Sequence, residues 1–184
     1  MIELDKTFME LAIKRYSTRK YLVKDVELEK IQSCIEAARM APSACNSQPW
    51  RFHVVREPNL RSTVAKATLQ KGIALNKFTL EVPVLVVLTV SKGNLKTKVG
   101  QMVSGLPYYL IDAGIAAEHF CLQASALGLG TCMIGWFQEK VIKANLNVKS
   151  DERVALVIAL GYPEDDFTRA KVRKELEEIS VYYE

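Results

Sequence analysis

Residues 112–137 read DAGIAAEHFCLQASALGLGTCMIGWF, and the order of features in this stretch decides which folds the chain can adopt. A long helix is expected from about Tyr108 to Leu127. It carries Ala113, Gly114, Ala116, Ala117, Ala124 and Ala126, and small residues at that density let a second helix backbone come close. Gly128 and Gly130 follow as cap and turn glycines, and Thr131–Ile134 reads as a short strand. The order is therefore helix, glycines, strand. A dinucleotide fingerprint needs the reverse, with GxGxxG after a strand and opening a helix. A Rossmann site for NAD is unsupported. Gly128 is explained as a helix cap. Gly135, at the end of the strand, marks a place where a ligand can come close to the backbone.

Outward from this stretch, helices alternate with short strands. Val84–Val90 is a continuous apolar run, as expected of a strand buried on both faces, with Pro83 tolerated at its entrance. Arg51–Val55 and Val154–Leu160 are further strands. Leu4–Lys14 is expected to be helical. A second helix should be capped by Asp25, with Glu27 and Glu29 in its first turn and Ile31, Cys34, Ile35 and Ala38 as its buried stripe. Polar residues place a helix around Asn59–Gln70 on the surface, and Gln138–Ala144 is a short helix. Ser91–Leu106, with Lys92, Lys96, Lys98 and three glycines, reads as a loop or lid. The alternation predicts an α+β or α/β fold with a mostly buried central sheet. No linker or repeat divides the chain, so residues 1–184 are expected to form one domain. The tail ends ELEEISVYYE, and Leu176, Ile179, Val181, Tyr182 and Tyr183 need a surface to cover. A partner subunit would provide it.

Composition sets limits. Apolar residues make up 49% of the chain and charged residues 25%, and the net charge is +4, too weak to argue for nucleic acid. No run reaches the ~20 apolar residues of a membrane helix. The opening MIELDKTF does not read as a secretory signal. Cys34, Cys45, Cys121 and Cys132 form no CxxC pair, and reduced thiols in the cytoplasm are expected.

Four clusters could carry chemistry. Lys14, Arg15, Ser17, Arg19 and Lys20 could hold a phosphate through guanidinium forks and a hydroxyl, or form a solvated basic turn. Pro42, Ser43, Asn46, Ser47, Gln48 and Pro49 could read the edge of a heterocycle, or simply bond their own backbone. Gly128–Gly135 is the helix–turn–strand already described. Lys171, Arg173 and Lys174 are a second basic group, or a solvated tail. His53 and His119 stand apart, and HExxH, GxSxG and P-loop motifs are absent. No nearby histidine activates Cys132. With no strong acid, base or nucleophile in the chain, a cofactor is expected to carry the chemistry.

These clusters together resemble the nitroreductase family of dimeric FMN enzymes. RYSTRKY (15–21) is similar to its Arg-x-Ser-x-Arg/Lys motif and APSACNSQPWRF (41–52) to its Pro-Ser-x-x-Asn-x-Gln-Pro-Trp loop. Residues 112–137 resemble its dimer helix and flavin turn, and KVRKELEEI (171–179) its basic C-terminal segment. The resemblance spans nearly the whole chain in the family's order, although 91–106 is compact where many members carry insertions. It implies a three-layer α/β/α fold with a central mixed sheet, a long helix at the dimer interface and a C-terminal extension onto the partner. It implies that Arg15 and Ser17, with Lys171 and Arg173, hold the FMN phosphate and that Arg19 lies near flavin N1 and O2. Gly135 would offer its N–H to N5 with Ile134 alongside, and Asn76 would reach the polar edge. Pro42, Ser43, Asn46 and Gln48 would come from the other subunit of a homodimer. The implied reaction is ping-pong hydride transfer from NADH or NADPH to a nitroaromatic, quinone or flavin. Lys92, Lys96 and Lys98 are candidates for a 2′-phosphate. The alternatives are a flavin-binding protein without catalysis and a basic interaction protein without a cofactor.

Overall fold

In the computed structural model, the structure describes residues 4–69, 75–92, 95–165 and 170–184. Its centre is a four-stranded sheet, in the order β1 (Trp50–Val55), β2 (Val84–Val90), β4 (Arg153–Gly161), β3 (Gly130–Ile134), with each neighbouring pair antiparallel. A single parallel bridge between Ser17 and Thr131 lies on the β3 edge, outside the four strands, whose own pairings are all antiparallel. Every residue of β2 is buried. Alternation along the strand explains how: Val84, Val86, Leu88 and Val90 enter one core while Leu85 and Val87 enter the other.

The first core is filled by α2 (Leu28–Arg39) and α5 (Tyr108–Ala126), the second by α3 (Pro58–Ala67) and α6 (Glu139–Asn145). Helices thus cover both faces, giving the expected α/β/α layers. Helix α5 packs against α2 through Ala113, Ala116, Ala117, Phe120 and Ala124, and Phe120 stacks on Phe52 of β1 at 5.7 Å between ring centroids. Helix α5 ends in a Schellman turn. Gly128 adopts φ 75°, and the Leu129 N–H donates to the Ala124 carbonyl at 2.8 Å.

Three expectations are corrected. Asp25 does not cap α2. The chain stays extended through Val26, which is fully buried, and Glu27 takes the N-cap position. The Glu27 carboxylate is occupied by the Tyr162 hydroxyl at 2.6 Å. Helix α3 is not a surface helix throughout, because Val64, Ala65 and Ala67 are buried, and Gln70 lies outside the described residues. Ser91–Leu106 is not a loop: Leu95–Ser104 forms α4, following β2 directly. Its glycine count concealed an amphipathic pattern that buries Thr97 and leaves Val99, Met102 and Val103 exposed. The side chains of Lys96 and Lys98 lie outside the described residues.

Helix α1 (Leu4–Lys14) matches the expected span, and the tail contains a short helix, α7 (Leu176–Ile179). Val172, Leu176, Ile179, Val181, Tyr182 and Tyr183 are all exposed on this chain. None of the four cysteines is in a disulfide, and of them Cys45 is exposed.

Candidate functional site

The RYSTRKY segment leaves α1 and wedges between β3 and the strand end at residues 161–164. Its backbone is tied down at many points. The Thr18 N–H donates to the Thr131 carbonyl at 2.9 Å, the Tyr21 hydroxyl donates to the Thr18 carbonyl at 2.8 Å, and the Leu22 N–H donates to the Tyr162 carbonyl at 2.9 Å. Thr18 is buried and packs on Gly130, where a Cβ would overlap the Thr18 hydroxyl. Glycine at 130 is therefore required by the approach of the basic segment. The ligation-competent side chains of this segment project from a rigid backbone, which limits the entropy lost on binding.

Arg15, Lys171 and Arg173 form one basic group. The Lys171 ammonium donates to the carbonyls of Ala12 and Arg15, each at 2.6 Å, and so fastens the C-terminal segment to the end of α1. Burial, then the guanidinium charges of Arg15 and Arg173, hold Lys171 below the usual lysine range. Arg15 Nε is buried without a hydrogen-bond acceptor. It lies 3.2 Å from Glu118 Oε1 of α5. Converging cations and an orphaned guanidinium N–H are the donor set for an anion, and a phosphate fits them. Ser17 bridges to Thr131 beside this group, while Arg19 is exposed and its guanidinium donates to the Ser17 carbonyl at 3.5 Å. The cavity next to the cluster, bounded by Lys14, Arg15, Thr18, Gly130 and Asp165, has a volume of about 110 Å³. Cofactor pockets run to roughly 300–1,000 Å³, so the cavity at this cluster is by itself too small to enclose a cofactor.

Gly135 follows β3, about 13 Å along the strand from Thr131 at ~3.3 Å per residue. It is exposed, and a Cβ there would meet nothing within 4 Å. The open side of its backbone is free for a planar ligand. Ile134 turns its side chain into the second core, leaving its main chain at the edge. Cys132, one turn of the pleat earlier, is buried, and burial pushes its thiol up against the opposing pull of Arg19 and Ser17. That is the state of an inert thiol.

The Pro42–Pro49 loop stands elsewhere on the chain. Its 3-10 turn, Ala44–Asn46, is anchored by Asp112, which is 3% exposed. Asp112 accepts from the Ala44 N–H at 3.0 Å and the Ser47 hydroxyl at 3.5 Å. Cys45, Asn46 and Gln48 all have positive φ, of 50°, 49° and 42°. Ser43 accepts from the Gln48 N–H and Gln48 donates to the Asn46 side chain, both at 3.0 Å, so these polar groups partly satisfy one another. Pro42, Asn46 and Gln48 nevertheless face solvent. Asp112 and Glu118 are six residues apart on α5, which puts them about 9 Å apart along the axis and on different faces. The loop and the basic group of one chain therefore occupy different stations of the same helix. Asn76, in the left-handed conformation at φ 65°, donates its side-chain amide to the Thr68 carbonyl at 3.1 Å, fixing the end of α3.

Asp112 and Glu118 were not among the residues singled out from sequence. Asp112 carried a signal, an acid inside the apolar and small-residue run YYLIDAGIAA. Glu118 had none, because a glutamate in a helix reads as solvated. Among the described residues there is no His/Cys/Asp/Glu group that could hold a metal, and no helix long and apolar enough to cross a membrane.

Known proteins resemble this chain in sequence and fold. A nitroreductase family protein from Clostridium novyi NT is 32% identical, with a TM-score of 0.76 over 89% of this chain and 88% of that one. An FMN-dependent nitroreductase from Clostridium difficile R20291 is 26% identical, with a TM-score of 0.75 over 95% and 98%. The oxygen-insensitive NADPH nitroreductase of Helicobacter acinonychis is 27% identical over 72% of this chain and 76% of its own length. The sequence profile of the nitroreductase family matches residues 12–77 and 72–162, in the same order as the basic segment, the polar loop, the long helix and the glycine turn. The chain is an oxidoreductase and belongs to the nitroreductase family.

Proposed function

We propose that the chain is an FMN-dependent oxidoreductase that carries hydride from NADH or NADPH to an electron-poor small molecule such as a nitroaromatic, a quinone or a free flavin. One observation carries this reading: Arg15, Lys171 and Arg173 converge beside β3 with a buried guanidinium N–H that has no acceptor. The C. difficile relative is FMN-dependent and the H. acinonychis relative uses NADPH by name. FMN, when bound, supplies the redox chemistry, accepting hydride at N5 and passing it on.

The protein binds, orients and tunes. Arg15, Ser17, Lys171 and Arg173 hold the phosphate. Arg19 sets a positive charge near N1 and O2, where negative charge grows on reduction. The main chain of Ile134 and Gly135 would lie along the flavin ring, and the Gly135 N–H would supply a hydrogen-bond donor to N5. Asn76 offers Oδ1 to the polar edge. Pro42, Ser43, Asn46 and Gln48 belong to the partner's site in a homodimer, an arrangement supported by their distance from the basic group on the same chain. The exposed apolar tail is covered by the partner. The free thiols suit a reducing cytoplasm.

The test is the visible spectrum of the purified protein, without oxygen, before and after NADH or NADPH. Flavin bands that bleach support the reading. Bands that persist with both donors reduce the protein to a flavin carrier, and a colourless protein that takes up no FMN removes the reading altogether.

A further inference from the structure

Glu118 is the carboxylate paired with Arg15 of the basic group, and its position there is unlike that of a surface acid. It projects from the middle of α5 to 3.2 Å from Arg15 Nε, with its own side chain 42% exposed and that of Arg15 23% exposed. The contact is electrostatic and not a hydrogen bond, since Arg15 Nε remains without an acceptor. The Glu118 charge also reaches Lys171, where it opposes the effect of the two guanidiniums. Arg15, Lys171 and Arg173 against Glu118 leave two net positive charges in this group, and the opposite charges of Lys14 and Asp165 beside the cavity offset one another. A phosphomonoester carries about −1.5 to −2 at neutral pH.

We infer that Glu118 is a positioning residue that sets the charge of this site to match a phosphomonoester, standing in as counter-ion to Arg15 and yielding it when the phosphate arrives. The inference rests on the FMN reading for the identity of the ligand, and on the geometry alone for the charge. It follows that Glu118 lowers affinity for the phosphate end of the ligand while leaving the ring end untouched. Without it, Arg15, Lys171 and Arg173 would face one another uncompensated whenever the ligand is away, and the empty protein would be less stable. The carboxylate thus exchanges affinity for stability of the unliganded chain. Its misalignment with Arg15 Nε suits that role, because a well-formed hydrogen bond would be harder for an incoming anion to displace.

The experiment uses flavin-free protein, wild type and Glu118→Gln, with Glu118→Ala as a second variant. Gln keeps the shape and an acceptor oxygen and removes the charge. Affinities for FMN and riboflavin are measured by fluorescence quenching, and thermal midpoints are recorded across a series of inorganic phosphate concentrations. A partly exposed ion pair is worth up to about 1 kcal/mol, so the expected gain in FMN affinity is about two- to five-fold. Riboflavin affinity stays unchanged. Without phosphate the variant melts below wild type, and added phosphate raises its midpoint more. The inference is overturned if FMN binds no more tightly to either variant, if riboflavin shifts as much as FMN, or if phosphate raises both midpoints equally. Should wild type fail to bind FMN, the proposed function falls. The phosphate series then still decides the role of Glu118.

Discussion

Thr18 and Gly130 show how finely the basic segment is seated. A methyl group at position 130 would overlap the Thr18 hydroxyl, and both belong to hydrogen-bonded backbone. Gly130→Ala is expected to destabilise the fold by about 1–3 kcal/mol, the usual range for overpacking. Thr18→Ala in the same chain should recover most of the loss, and urea denaturation of the three proteins checks both. Arg15 is expected to matter for binding more than for folding. Arg15→Gln should weaken FMN by about ten-fold or more, on the ~1.5–3 kcal/mol of a charge-assisted hydrogen bond, as read by flavin titration. His53 carries the clearest pH effect. Its ring bonds to the Thr89 hydroxyl at 3.0 Å, and Thr89 donates to Glu152 at 3.3 Å. Burial first, and the Arg51 charge second, hold His53 below its ordinary value of 6.5. The fold therefore favours the neutral ring. That contribution is present in full above the ordinary value and is lost as pH falls through the lowered one. Between pH 7 and 5 the urea midpoint should fall more steeply for wild type than for His53→Gln. Of the site, the cations were legible in sequence because Arg and Lys at both chain ends need no geometry to be noticed. The carboxylates that complement them, Asp112 and Glu118, were not, since what each faces is fixed only by packing.

At the scale of elements, β2, α1 and α5 could be read directly, because a continuous apolar run and a small-residue helix have few alternatives. The burial of α3 and the existence of α4 could not. The outward faces of α3 dominate its composition, and glycines in α4 suggested a loop although its apolar residues recur at helical spacing. The start of α2 was displaced by tertiary structure: burying Val26 keeps the chain extended past Asp25. Helix α5 does more than pack. Its first turns hold the Pro42–Pro49 loop through Asp112, while Glu118 and the C-terminal turn meet the basic segment. Asp112→Ala leaves the Ala44 N–H without its partner, a cost of about 1–3 kcal/mol. The loop keeps three residues at positive φ only because it is anchored. The variant should therefore lose flavin affinity while Arg15 and Lys171 remain in place. Titration of flavin, together with far-ultraviolet circular dichroism to confirm the fold, checks it.

For the whole molecule, the layered architecture followed from alternation of helix and strand, and the exposed tail followed from apolar residues with no remaining element to cover. How the tail is used depends on association. Removing residues 176–184 deletes Leu176, Ile179, Val181, Tyr182 and Tyr183, all of them exposed on the isolated chain. The truncated protein is expected to sediment more as monomer and to retain less FMN, while its thermal midpoint changes little. The central strand has a consequence of a different kind, in the time course of synthesis. Strand β2 is apolar along its whole length, and its partner β4 begins at Arg153, more than sixty residues after Val90. During translation β2 leaves the ribosome with only β1 to pair with, and its other edge stays open until β4 emerges. Seven consecutive β-forming residues with an unpaired edge are a template for intermolecular association. Nascent chains stopped before Arg153 should therefore collect in the insoluble fraction. A charged residue in place of Val86 or Val87 would abolish that stickiness and the native core together.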